Sequence, residues 1–314
     1  MSAENNVNTA KKPPSNAEVV GRVLRRVAVV NRGEPAVRFL RGLRDYNAER
    51  GTSIESLAMV TDTDIGAPFV HLADAVVHLG PAMQAVADGS MISAYLRHEA
   101  IITALVDAGC DAVWPGWGFI AEDAAFVSLL EARGITFLGP SAESMRRLGD
   151  KIESKKLAAQ CGVPMAQWWE IQPNSSDAEI CSAAAEIGYP LMVKASAGGG
   201  GRGIRKVNTD SELLAAVPAA RDEVKKIFGA GGLFFEACVT GARHVEVQLV
   251  ADNQHRTIAL GVRDCSIQRR NQKVLEETPS SALSEATAEQ LCASSAALAL
   301  AAGYRSAGTA EFLY

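Results

Sequence analysis

Five glycines fall within six residues at Gly198 to Gly203, between an apolar run at Leu191-Met192-Val193 and a strand-like segment at Ile204 to Val207. Glycine has no Cβ and accepts positive φ, so neither helix nor regular strand crosses such a segment at low cost. The pattern predicts a strand, a backbone-only loop and a returning strand. A loop of this kind brings several N–H groups close to an anion, and Lys194, Arg202 and Arg205 set positive charge around it. Gly198, Gly200 and Gly203 satisfy G-x-G-x-x-G formally, but the dinucleotide fingerprint needs a helix next, and Ile204 to Val207 reads as a strand. A glycine flap closing over a triphosphate, as in kinases, fits the strand–loop–strand order. Taken alone, the tip of a surface hairpin fits it equally well.

The flanking chain alternates early and changes character late. Residues 1–22, rich in Asn, Ser, Lys and Pro, read as a disordered tail. Strands are predicted at Arg26 to Val30, Ser56 to Val60, Ala75 to Leu79 and Ala112 to Trp114, with helices from Pro35, at Pro68 to Ala73 and at Ser93 to Ala108. That alternation implies βαβ units and a parallel sheet, whose ligands sit at the carboxyl ends of strands. Asn31-Arg32-Gly33-Glu34 and Trp114-Pro115-Gly116-Trp117-Gly118-Phe119 occupy such ends. Ser141 caps a short helix, and Ile152 to Cys161 form the next. A compact α+β segment follows, with helices at Asp177 to Ile187 and Ser211 to Ile227 and a strand at Leu233 to Ala237. From Arg243 the pattern turns to antiparallel strands: His244 to Val250, a hairpin return at Thr257 to Gly261, and Gly308 to Tyr314 after an Ala-rich helix at Ser284 to Ala302.

Composition narrows the function. At 314 residues and 48% hydrophobic content the chain can build two or three cores. A net charge of −5 argues against nucleic acid as the partner. Six cysteines without C-x-x-C spacing predict reduced thiols, neither a zinc site nor a disulfide scaffold. The polar start is no signal peptide, and no apolar run reaches about 18 residues; by elimination the expected compartment is cytoplasmic, with no membrane partner.

Lys151 and Lys194 are candidates to reach a polyphosphate as point charges. Glu236 is placed to face an adenine amino group or a ribose. Glu311 is a candidate magnesium ligand, since that ion prefers oxygen and bridges to phosphates.

Several segments together resemble the biotin carboxylase component of biotin-dependent carboxylases, in the ATP-grasp superfamily. They are Val29-Val30-Asn31-Arg32-Gly33-Glu34, Trp114 to Asp123, Phe137-Leu138-Gly139-Pro140-Ser141, Gly149-Asp150-Lys151, the Lys194 to Arg205 flap, Arg243 to Gln248, Arg263 to Arg270, and Gly308 to Phe312. They occur in family order over Val27 to Tyr314. The resemblance implies an α/β fold: a Rossmann-like domain at 23–140, a helical linker at 141–164, an ATP-grasp lid at 165–239, and the first part of an antiparallel-sheet ATP-grasp C domain at 240–314.

It also implies ATP-dependent carboxylation of biotin by bicarbonate through carboxyphosphate, an intermediate that a closed lid would protect from water. By position, Lys151, Lys194, Gly200 and Gly201 match phosphate contacts, and Glu236 to Val239 match the adenine-side strand. His244, Gln268, Asn271 and Glu311 complete the ATP set. Lys273 matches the catalytic residue on the bicarbonate side, and Glu311 a carboxylate for Mg2+ or Mn2+. Implied partners are a biotin carboxyl carrier protein domain, a carboxyltransferase component and bicarbonate, in a homo-oligomer or multi-subunit complex.

The departures are specific. Asn271 stands where most members have His, Ala237 where Lys commonly follows the Glu, and Pro35 where Ile is usual. Trp114 and Trp117 replace His and Tyr, a feature similar to eukaryotic acetyl-CoA carboxylase, which points to an acyl-CoA carboxylase of fatty acid metabolism. The family's second metal carboxylate, Asn ligand, bicarbonate Arg and catalytic Glu have no counterpart up to Tyr314, so this chain is expected to be an N-terminal part, inactive alone. Two other readings compete: a non-catalytic subunit or scaffold that keeps the fold, and another ATP-grasp ligase of the carbamoyl-phosphate synthase type.

Overall fold

The computed structural model describes residues 23–86, 88–196, 204–228, 231–270 and 272–314. The expected N-terminal tail therefore lies outside the described residues. The chain divides into two units between Met145 and Arg146.

The first unit runs β1 (Arg26–Val29), α1 (Gly33–Arg50), β2 (Glu55–Thr61), α2 (Pro68–Leu72), β3 (Ala75–Gly80), a small hairpin of β4 (Met83–Ala85) and β5 (Met91–Ser93), α3 (His98–Asp107), β6 (Ala112–Trp114), α4 (Ala124–Ala132) and β7 (Thr136–Phe137). The five longer-range strands pair in parallel in the order β3-β2-β1-β6-β7. Successive side chains of β1 point to opposite faces. Ala28 and Val30 pack with Ile101, Ile102, Phe126 and Leu130 on one side, and Val29 with Ala36, Leu40 and Phe69 on the other. Helices thus cover both faces, as the βαβ alternation requires.

The order reverses between β1 and β6, and the loops that follow them meet there. Asn31 Nδ2 donates to Pro115 O at 2.7 Å and Trp117 O at 3.0 Å. Gly116 has φ of 62° and a Cβ there would lie 2.5 Å from Asn31 Nδ2, so glycine is required. Trp114 stacks on Phe39 with centroids 4.5 Å apart, while Trp117 is left 62% exposed.

Two local expectations change. The helix expected over Ser93 to Ala108 begins only at His98, because Ser93 closes β5 and Ala94–Leu96 form a 3-10 turn capped by the Ser93 hydroxyl. Helix α4 was not anticipated: its run is apolar on nearly every side and shows no period, although Asp123 caps it by accepting from Ala125 N and Phe126 N.

After α5 (Ala142–Gly149), the second unit contains α6 (Lys151–Gln160), β8 (Trp168–Ile171), α7 (Asp177–Ile187), β9 (Leu191–Ala195), β10 (Arg205–Val207), α8 (Asp210–Phe228) and β11 (Leu233–Ala237). The strands form an antiparallel sheet, β10-β9-β11-β8. Leu191, Val193, Ala195, Leu233 and Phe235 face α7 and α8 in one apolar cluster. The glycine run joins two paired strands, with Arg205 opposite Val193, as its sequence predicts; Gly198 to Gly203 themselves lie outside the described residues.

The last segment comprises β12 (His244–Ala251), β13 (Thr257–Arg269), β14 (Gln272–Glu277), α9 (Glu285–Ala301) and β15 (Ser306–Leu313), in the sheet order β14-β13-β12-β15. The expected return strand at Thr257 to Gly261 is the first part of β13, a single strand of 13 residues that carries Arg263 to Arg269 onward. Val245, Val247, Leu249 and Val262 pack beneath α9 through Leu291 and Ala299. No helix among the described residues is long and apolar enough to cross a membrane, and the six cysteines are free thiols.

Candidate functional site

Both antiparallel sheets bury one face under helices, and alternation sends every second side chain to the other face. The charged residues singled out in the sequence gather there in two clusters.

The first cluster is built on α6, β9 and β11. Asp150 caps α6 by accepting from Ile152 N at 2.9 Å and Glu153 N at 3.0 Å. Lys151 N donates to Ser196 O at 3.0 Å, and Ser196 N to Gly232 O at 2.8 Å. Those bonds pin the root of the glycine run to the start of α6. Lys194 lies opposite Phe234 in the β9–β11 ladder, which places it diagonally beside Glu236 on the same face. Glu236 holds two lysines, Lys194 through Oε1 and Lys155 through Oε2, the latter at 2.6 Å. Its carboxylate therefore faces ammonium groups here, where the sequence suggested an adenine or ribose.

The charges leave a mark on acidity. Burial and the nearby charge of Lys194 lower the Lys151 pKa, while Asp150 opposes them. Burial pushes Glu236 up, but hydrogen bonds from Lys155 and Lys194 outweigh it and the carboxyl lies below its ordinary value. Three lysines against Glu236 and Asp150 leave the cluster positive, which suits an anion. Val239 sits two residues beyond β11 and is about half exposed.

The second cluster lies on β12, β13, β14 and β15. Glu246, only 1% exposed, accepts from Arg263 Nε at 2.7 Å and from Lys273 Nζ at 2.5 Å. Lys273 also donates to Glu311 Oε1 at 2.8 Å, and Arg263 to Gln248 Oε1 at 2.8 Å. His244 Nε2 is 3.6 Å from Glu311 Oε1, and His244 Nδ1 is 2.6 Å from Gln268 Nε2. Burial works against the Lys273 ammonium, yet bonds to Glu246 and Glu311 overcome it and hold its pKa above the ordinary lysine value. Burial raises Glu246 as well, and Lys273 and Arg263 bring it below the usual carboxylate value.

The structure thus brings Lys151, Lys194 and Glu236 together, and separately His244, Gln268, Lys273 and Glu311. Gly200, Gly201 and Asn271 lie outside the described residues. Sequence reading missed Glu246, Arg263 and Lys155. The polar alternation His244-Glu246-Gln248 was the available signal for Glu246; it was read as a half-solvated strand.

Glu246, Cys265 and Glu276 have ligand atoms within 4.8 Å of one another. They do not suit magnesium: Glu246 is committed to two cations, and burial pushes the Cys265 thiol up to about 11. Glu311, 53% exposed in its side chain, is the better oxygen donor for a magnesium ion shared with phosphates.

Residues 150–314 match the family described as carbamoyl-phosphate synthase L chain, ATP binding domain, and residues 23–145 match the N-terminal domain of biotin carboxylase. Biotin carboxylase 1 of Bacillus subtilis is 40% identical over 297 residues, covering 93% of this chain and 62% of that protein. The propionyl-CoA carboxylase alpha chain of Ruegeria pomeroyi is 38% identical over 92% of this chain and 40% of its own length. Among solved structures, the Campylobacter jejuni biotin carboxylase–beta-gamma-ATP complex matches with a TM-score of 0.79 and 36% identity, over 95% of this chain and 63% of that one. The biotin carboxylase domain of the Hydrogenobacter thermophilus 2-oxoglutarate carboxylase, solved with MgADP, ADP and bicarbonate, matches at 0.78 and 36%, over 93% and 61%. The chain spans about 62% of the length of the curated biotin carboxylases it matches. With that family's N-terminal domain on one unit and its ATP-binding domain on the other, in the expected α/β ATP-grasp fold, the chain belongs to the biotin carboxylase family.

Proposed function

We propose that this chain is the nucleotide-binding part of the biotin carboxylase component of an acyl-CoA carboxylase. ATP transfers its γ-phosphoryl group to bicarbonate with release of ADP, and the resulting carboxyphosphate gives its carboxyl group to carrier-bound biotin with release of phosphate, which takes the proton from the biotin nitrogen. The observation that supports this most is the positive cluster at the root of the glycine run, where Lys151, Lys194 and Glu236 converge.

Lys151 and Lys194 take phosphate oxygens; burial first and the charge of Lys194 second lower the Lys151 pKa, and a polyphosphate relieves the second of these. Lys273 is an ammonium at neutral pH, as an ordinary lysine is, and its bonds to the Glu246 and Glu311 carboxylates raise its pKa further. It therefore acts as a fixed cation that orients bicarbonate and steadies developing negative charge, and it is no proton acceptor. Glu246 and Arg263 keep it in place. Glu311 would hold a magnesium ion, which would supply charge neutralisation for the phosphoryl transfer. His244 and Gln268 line the same face, and the glycine flap with Gly200 and Gly201 excludes water from the mixed anhydride. A biotin carrier domain and a carboxyltransferase component complete the pathway in a cytoplasmic multi-subunit assembly.

The test is ADP formation by the protein that carries this chain, with bicarbonate and biotin supplied separately and together. Turnover that requires both is the expected result. Stimulation by ammonia in place of biotin moves the assignment to a carbamoyl-phosphate type of ligase, and ATP binding without any turnover moves it to a scaffold.

A further inference from the structure

We infer that Lys155 is a positioning residue for nucleotide binding: it is the standing counter-ion of Glu236 and leaves Lys194 able to turn from Glu236 to a phosphate. The inference rests on the nucleotide reading of this cluster.

Lys155 follows Lys151 by one helical turn on α6, so both point to the same side. Its ammonium is held on three sides. Glu236 Oε2 lies 2.6 Å away, and the Trp168 and Phe234 ring centroids lie 5.7 and 5.6 Å away. Those rings are themselves packed edge to face. A cation over two aromatic faces and against a largely buried carboxylate gains little by moving. Lys194 differs. It meets the other carboxylate oxygen, is somewhat more exposed than Lys155, and lies within electrostatic reach of the Lys151 charge. An arriving polyphosphate attracts both Lys151 and Lys194.

A buried carboxylate that loses its only cation is costly to leave ionised. With Lys155 in place, Glu236 keeps a partner when Lys194 departs. Without Lys155, Lys194 is needed by Glu236 and by the phosphate at once. The charged groups against Glu236 are Lys155 from α6 and Lys194 from β9; Lys151, with Asp150 beside it, acts on Lys194, and on β8 Glu170 is held by Lys156 at 3.0 Å. Lys155 and Lys194 both bond to Glu236. Losing Lys155 raises the pH at which Glu236 takes a proton, and a neutral Glu236 releases Lys194.

The experiment is calorimetric binding of ATP and of adenosine to the 314-residue chain and to Lys155→Met, with Lys155→Arg as the charge-preserving control. It is run between about pH 5.5 and 8.5 and read as the variant-to-parent ratio of Kd, so that ligand titration cancels. Lys155→Met is expected to weaken ATP binding about tenfold at the alkaline end, with the ratio falling toward acid, adenosine unaffected, and Lys155→Arg within about threefold of the parent. A ratio near one, or a loss that is the same at every pH, overturns the inference. If Lys155→Met does not fold, Lys155→Gln carries the same comparison. Failure of the parent chain to bind ATP removes the nucleotide reading itself and is seen before any variant is compared.

Discussion

The two charged clusters are built alike and balanced differently. Each occupies the sheet face opposite the apolar cluster that its sheet shares with α7 and α8 or with α9, and each centres on a glutamate that holds two cations. Around Glu236 there are three lysines, with Asp150 the other carboxylate, and the pKa of Lys151 falls. Around Glu246 two cations meet three carboxylates, Glu246, Glu311 and Glu276, the last 3.6 Å from Arg263, and the pKa of Lys273 rises. A surplus of positive charge leaves something for a ligand to neutralise. A network whose cations are all matched by carboxylates instead holds its own members still, and its product is one lysine at a fixed place.

The cluster around Glu246 breaks hardest. Replacing Glu246 with Ala leaves Arg263 and Lys273 without their shared carboxylate in a partly buried site, and is expected to cost about 3 kcal/mol of stability. Urea unfolding of the variant reads this as a lower midpoint with an unchanged slope. A loss within about 0.5 kcal/mol would mean that water already carries these charges and the network is ornamental.

The surplus cluster breaks in binding instead. Lys194→Met removes a phosphate cation and is expected to cost about 2 kcal/mol of ATP affinity, some thirtyfold, with adenosine unchanged. Its stability should shift far less than that of Glu246→Ala, because Lys155 still holds Glu236. Equal losses for ATP and adenosine would show that Lys194 shapes the pocket and does not meet phosphate.

How much of this was legible depended on whether a residue advertises itself locally. The β9–β10 hairpin was visible because a glycine run between apolar segments has few other solutions. The parallel sheet followed from the spacing of its strands, and α7, expected at Asp177 to Ile187, begins where Ser176 and Glu179 form a capping box. Lys151 and Lys194 were found beside strong local punctuation. Glu246 was not, since a glutamate in an alternating strand looks solvated until the register with β13 and β15 sets Arg263 and Glu311 beside it. Lys155 was hidden for the same reason: its partners Trp168, Phe234 and Glu236 come from β8 and β11, far along the chain.

A smaller difference between the regions is their response to acid. Asp264, nearly buried beside the second cluster, is pushed up by burial but receives bonds from Ser266, Arg243 and Ser280 that bring it from 3.8 to about 2. Its folded pKa is depressed, so its contribution to stability is present above the unfolded value and is lost as pH falls from about 4 through 2. The urea midpoint of the parent should drop across that window, and that of Asp264→Asn should drop less. Parallel curves would place the acid lability elsewhere.

The smallest expected effect tests how firmly the surplus cluster is anchored. Gly232 has Ser196 bonded to both its carbonyl and its N–H, at the point where the root of the glycine run meets β11. A Cβ at this position would lie 2.6 Å from Ile152 Cδ1 and 3.6 Å from Ser196 Oγ. Ile152 is the residue after Lys151, and the clashing atom is the end of a flexible side chain, so Gly232→Ala should cost only about 1 kcal/mol as Ile152 changes rotamer. The consequence should surface in binding more than in folding. If α6 carries Lys151 and Lys155 as one rigid body, the shift moves both ammonium groups, and ATP affinity falls a few-fold. An affinity equal to the parent's with lowered stability would mean that Ile152 yields alone and the lysines are placed by Glu236, whichever way the helix leans.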